Sequence, residues 1–100
     1  RGRGMALEGA GGKISEDVLE EIILQWKEKG NTQLKAGDAS AAAESYGQGI
    51  DVAAPGVLRG QLYSNRAQAW LLLGKDAAAV GDGKLAIQDD PKNAKAYWRG

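Results

Sequence analysis

Two glycines, Gly37 and Gly74, each close a helical stretch, and they stand 37 residues apart (74 − 37). Trp26 and Tyr63 share that offset, as do Ala42 and Ala79. From Tyr63 to Tyr97 the step is 34 residues (97 − 63), so the unit is 34 residues long, with three more in the loop around Pro55. A chain of such units stacks like elements along one axis, each burying its apolar face against the next.

The segments between the punctuation read as helices. Ser15 is a natural N-cap, with Glu16 and Asp17 at the positive end of the helix dipole. Val18, Ile22, Trp26, Gly30 and Leu34 then recur every four residues, flanked by Leu19 and Ile23, which predicts a helix to about Ala36. Asp38 or Ser40 caps a second helix over about Ala41 to Val52, with Ala42, Tyr46, Gly49 and Ile50 inward. After the Pro55 break a third is expected from about Leu58 to Leu73, facing inward with Leu62, Tyr63, Ala67, Trp70 and Leu73. A fourth is expected from about Ala77 to Gln88, using Ala79, Val80, Gly83, Ala86 and Ile87, and a fifth starts near Asn93. Apolar and polar residues seldom alternate, so strands are not supported. The expected fold class is all-α: a tandem of αα-hairpins.

Composition removes most catalytic options. The 100 residues contain no Cys and no His, hence no disulfide, no thiolate metal site, no cysteine nucleophile and no imidazole base. Thirteen basic side chains balance thirteen acidic ones, so nothing draws the chain as a whole to nucleic acid or to an anionic membrane. No apolar run nears the roughly 18–20 residues of a spanning helix, and no signal-peptide pattern is present. Gly4 to Gly12 lacks the spacing of a phosphate loop, and Arg1-Gly2-Arg3-Gly4, one short stretch in a neutral chain, is a weak signal for an RNA-binding tail. The expectation is a cytoplasmic, monomeric, non-enzymatic chain with no cofactor, no metal, no nucleic-acid partner and no membrane insertion.

Set on the 34-residue unit, the residues resemble the tetratricopeptide repeat (TPR). Its fourth-position aromatic is matched by Trp26, Tyr63 and Tyr97, and its eighth-position small residue by Gly30 and Ala67. Its turn glycine is matched by Gly37 and Gly74, and its later small residues by Ala42, Ala79, Gly49 and Ala86. Pro91 closes the second unit, while Pro55 falls one place late. The resemblance implies a TPR solenoid with repeat 1 over about 23–56, repeat 2 over about 60–93 and a truncated repeat 3 from 94, behind a disordered leader over 1–14. On this division the chain reads as a fragment of a longer array.

Within that family, the sequence is similar to the two-carboxylate clamp of co-chaperones. The stretches that carry the likeness are Lys27-Glu28-Lys29-Gly30-Asn31, Tyr63-Ser64-Asn65-Arg66, and Lys95 with Arg99 four residues on. The resemblance implies a groove lined by the first helix of each unit, binding the C-terminal tail of heat-shock protein 70 or 90, which ends Glu-Glu-Val-Asp; the alternatives are a generic TPR scaffold for another protein segment, or the docking domain of a larger enzyme. Lys27, Asn31 and Asn65 would hold the α-carboxylate, and Lys95, supported by Arg99, the side-chain carboxylate. Leu34 and Leu71 point toward the same groove by register, as an apolar pocket for the peptide or as ordinary inter-helix packing. Leu72 stands where many such domains carry a further Lys. Most acids are expected away from the groove, with Glu44, Asp51 and Asp82 on the outer helices; Asp82-Gly83 also resembles a pair found in some of these domains, without a role assigned to it.

Overall fold

The computed structural model describes residues 15–93. They form α1 (Glu16–Lys35), α2 (Ala39–Val52), α3 (Val57–Leu72) and α4 (Asp76–Asp89), followed by a 3-10 turn at Pro91–Asn93. No strand occurs among the described residues. The expected leader, third repeat and fifth helix lie outside them.

Both predicted turns are built the same way. Gly37 adopts φ +89° and Gly74 φ +76°, a region in which a Cβ is strained. At the first turn the Gly37 N–H donates to Leu34 O and the Asp38 N–H to Gln33 O; at the second, Gly74 donates to Leu71 O and Lys75 to Trp70 O. These paired bonds are the Schellman arrangement, which satisfies the last carbonyls of a helix and sends the chain back antiparallel. The repeat seen as two glycines is thus a repeated hydrogen-bond pattern.

Helix starts differ between the units. Ser15 Oγ accepts from the Val18 N–H at 3.2 Å, and Asp38 Oδ1 accepts from the Ala41 N–H at 3.1 Å. Asp38 rather than Ser40 is therefore the cap, and α2 begins at Ala39 instead of Ala41. In the second unit Lys75 occupies the cap position, with no side-chain bond to the helix.

The helices pack in sequence order, α1 on α2, α2 on α3, α3 on α4. The core consists of Ile23, Ala39, Ala42, Ala43, Tyr46, Ile50, Leu62 and Ala69, with Leu19, Leu34, Ala53, Leu58, Tyr63 and Trp70 packed against it. Half of that core is alanine, so the helix axes come close and a few large side chains fill the remaining space. Tyr46 and Leu62 are the largest fully buried side chains.

Three residues expected inward are exposed: Val18, Leu73 and Val80. α1 has 20 residues against 14 in α2, so its N-terminal end runs past its partner by about 9 Å at 1.5 Å per residue, and Val18 lies on that overhang. Leu73 sits at the C-cap of α3, where the helix ends, and Val80 lies on a face of α4 that no described element covers.

Helical glycines are not equivalent here. A Cβ built on Gly49 would stand 3.1 Å from Leu62 Cδ1 and 3.3 Å from Trp26 Cβ, whereas one built on Gly81 meets nothing within 4 Å. Gly81→Ala is accordingly expected to stabilise the chain by about 1 kcal/mol, raising Tm by roughly 5 °C. Thermal denaturation followed by circular dichroism checks this, and an unchanged or lower Tm would contradict it.

Candidate functional site

Lys27 and Asn31 lie one turn apart on α1, and Gln61 and Asn65 lie one turn apart on α3. Lys27 Nζ donates to Gln61 Oε1 at 2.7 Å, and Asn65 Nδ2 donates to Asn31 Oδ1 at 3.3 Å. The two contacts form parallel rungs between the first helices of successive hairpins, about 6 Å apart along the helices.

A third helix fixes the lower rung. Tyr46, from α2, donates its hydroxyl to the same Asn31 Oδ1 at 2.5 Å. The ring reaches that point because residue 30 is glycine: a Cβ there would stand 2.5 Å from Tyr46 Cε1 and 2.7 Å from Cδ1. Burial raises the Tyr46 pKa above its ordinary 10.0, keeping the phenol neutral and donating.

The chemical result is a directed amide. With its carbonyl oxygen receiving two donors, Asn31 has its NH2 group left for another acceptor. Asn65 retains its second N–H, and Lys27 retains two of its three. All three side chains are half-buried, in reach of a ligand while partly shielded from water. The seam therefore presents neutral and cationic donors to an anion.

Of the five carboxylate-binding residues expected from the sequence, Lys27, Asn31 and Asn65 lie on this one seam. Lys95 and Arg99 lie outside the described residues. Leu34 packs against the core, while Leu71 is 56% exposed, so the two have different surroundings. Gln61 and Tyr46 are not among the expected site residues, and their role depends on side chains meeting from separate helices.

A second polar cluster locks the back of α3. Asp82, expected on an outer helix away from the groove, is only 5% exposed. Arg66 grips it with two bonds, Nε to Oδ2 at 2.7 Å and Nη2 to Oδ1 at 3.0 Å, and Trp70 Nε1 donates to Oδ2 at 2.8 Å. The bond to Asp82 raises the Arg66 pKa further, so the guanidinium stays charged. Its Cζ lies 5.7 Å from the Tyr63 ring and 5.8 Å from the Trp70 ring, within cation–π range. Two turns earlier on α3, Arg59 holds Asp89 in the same manner, at 2.6 and 3.1 Å. The neighbours Asn65 and Arg66 thus divide between two tasks, the first facing α1 across the seam and the second tying α3 to α4.

No described helix is long and apolar enough to cross a membrane. No family model matches the chain, and no solved structure does. Among curated proteins, the chain is 39% identical over 75 residues to the small glutamine-rich tetratricopeptide repeat-containing protein 2 of Mycosarcoma maydis, covering 75% of the chain and 20% of that protein. It is 40% identical over 82 residues to RNA polymerase II-associated protein 3 of Xenopus laevis, covering 82% and 12% respectively. It is 31% identical over 99 residues to the Hsp70/Hsp90 co-chaperone CNS1 of Saccharomyces cerevisiae, covering 98% and 26%. The chain spans about a quarter or less of the length of these relatives.

Proposed function

Because the chain is a tetratricopeptide repeat domain of the co-chaperone type, we propose that it is a non-enzymatic docking module for the acidic C-terminal tail of a cytoplasmic heat-shock protein 70 or 90. The observation that carries this reading is the α1–α3 seam, where Lys27, Asn31 and Asn65 stand together, each with donors left over from the bonds between them. Lys95 and Arg99, four residues apart in the sequence, supply the remaining two cations of the clamp. The similarity to an Hsp70/Hsp90 co-chaperone over nearly the whole chain supports the same class of partner.

The chemistry is that of a peptide ending in aspartate, whose α-carboxylate and side-chain carboxylate lie close together. Lys27, Asn31 and Asn65 take the α-carboxylate; Lys95, backed by Arg99, takes the side chain. Charge-assisted bonds of this kind contribute about 1.5–3 kcal/mol each, and the cost of ordering a flexible tail offsets much of that. An affinity in the micromolar range, about −8 kcal/mol, is the result.

The test is calorimetry with a peptide ending Glu-Glu-Val-Asp, as the free acid and as the C-terminal amide. The acid is expected to bind at least about tenfold more tightly, and Lys27→Ala to reduce that preference, because the amide removes the charge the clamp reads. Raised salt should weaken the acid more than the amide. Equal affinity for the two peptides would overturn the clamp reading, and tight binding of an internal segment instead would mark a general peptide scaffold.

A further inference from the structure

The upper rung contains a residue that the clamp reading does not use. Gln61 stands on α3 one turn before Asn65 and accepts from Lys27 Nζ at 2.7 Å, across a separation of 34 residues. The lower rung, Asn65 to Asn31, spans the same separation. Gln61 is half-buried and neutral.

We infer that Gln61 is a positioning residue that holds the Lys27 ammonium over the α1–α3 seam and so sets the affinity for a terminal carboxylate. This rests on the carboxylate-docking function proposed above. A lysine side chain gives up part of its rotamer freedom whenever its ammonium is fixed on a ligand. An acceptor that already holds the ammonium in the free protein reduces that loss at binding. The acceptor must also be neutral. A carboxylate at the same place would pair with Lys27 and cancel the charge that the incoming anion needs, whereas an amide oxygen takes one N–H and leaves the charge and two N–H groups free.

Two substitutions separate the elements of this argument. Gln61→Leu removes the acceptor with little change of size, and the affinity for the free-acid Glu-Glu-Val-Asp peptide is expected to fall about threefold to tenfold. Gln61→Glu keeps the acceptor but adds an anion, and is expected to cost more than the leucine does. In a Lys27→Ala background Gln61→Leu should change affinity by less than about twofold, because the group it positions is gone. A merely structural role for Gln61 would give the same loss with or without Lys27, and that result, or no loss in either background, overturns the inference.

A readout without peptide keeps the two proposals distinct. Lysine-selective nitrogen NMR of the free chain should show Lys27 Nζ more ordered than Nζ of the exposed Lys84, and Gln61→Leu should bring them level. Indifference of the wild-type chain to the terminal carboxylate would count against the docking function, while Lys27 order that does not change in Gln61→Leu would count against the positioning role. Both variants are expected to melt within a few degrees of wild type, which shows that the changes are local.

Discussion

Asp82→Ala is expected to destabilise the chain by about 3 kcal/mol, lowering Tm by roughly 15 °C, as measured by thermal and urea denaturation. Asp82 receives three hydrogen bonds from two residues of α3 while itself nearly excluded from solvent. Truncation leaves the Arg66 guanidinium without its anion and the Trp70 indole N–H without an acceptor, and each buried orphan costs free energy. Arg66 retains some access to water, its side chain being 23% exposed, which holds the expected loss at the lower end of the range for broken buried pairs. Asp82→Asn, which keeps an acceptor for Trp70 but removes the charge, should fall between wild type and alanine. A loss below about 1 kcal/mol for Asp82→Ala would mean that water replaces the carboxylate with little penalty.

Gly30→Ala is the second large effect, and its sign is opposite to that of the same substitution at Gly81. In an open helix site alanine gains about 1 kcal/mol over glycine. At residue 30 the new methyl would lie 2.5 Å from Tyr46 Cε1 and 2.9 Å from Cζ, and Tyr46 is fully buried. α1 and α2 must move apart, and overpacking of this kind costs typically 1–3 kcal/mol, so a net loss of about 2 kcal/mol is expected by denaturation. The displacement also draws the Tyr46 hydroxyl from Asn31 Oδ1, so binding of an acidic peptide should weaken along with the fold. Tyr46→Leu in the Gly30→Ala background should recover part of the lost stability, since it removes the atoms in conflict; a double mutant less stable than both singles would show that the overlap is not the cause.

The four described helices are legible in the sequence because local chemistry decides where each ends. Gly37 and Gly74 are required by the backbone geometry of their turns, while Ser15 and Asp38 cap the starts of α1 and α2. The seam is legible in part: a spacing of four puts Lys27 and Asn31 on one face of α1 without reference to any other helix. Two of their partners are not legible, because Gln61 and Tyr46 reach the seam only through the packing of α3 and α2. The burial of Asp82 is hidden for a related reason. α4 is rich in alanine and glycine, so its buried and open faces differ little in apolar character, and nothing local marks Asp82 as buried until Arg66 and Trp70 are brought alongside.

The two arginine–aspartate pairs of the second hairpin have a mechanical meaning. Arg59 and Arg66 are two turns apart on α3, and they meet Asp89 and Asp82 in reverse order on α4. Sliding one helix along the other by a single turn would break both at once and bring neither arginine to another carboxylate of that row. The pairs therefore behave as shear keys. Together they fix the register of α3 against α4, and with it the height at which α3 carries Gln61 and Asn65.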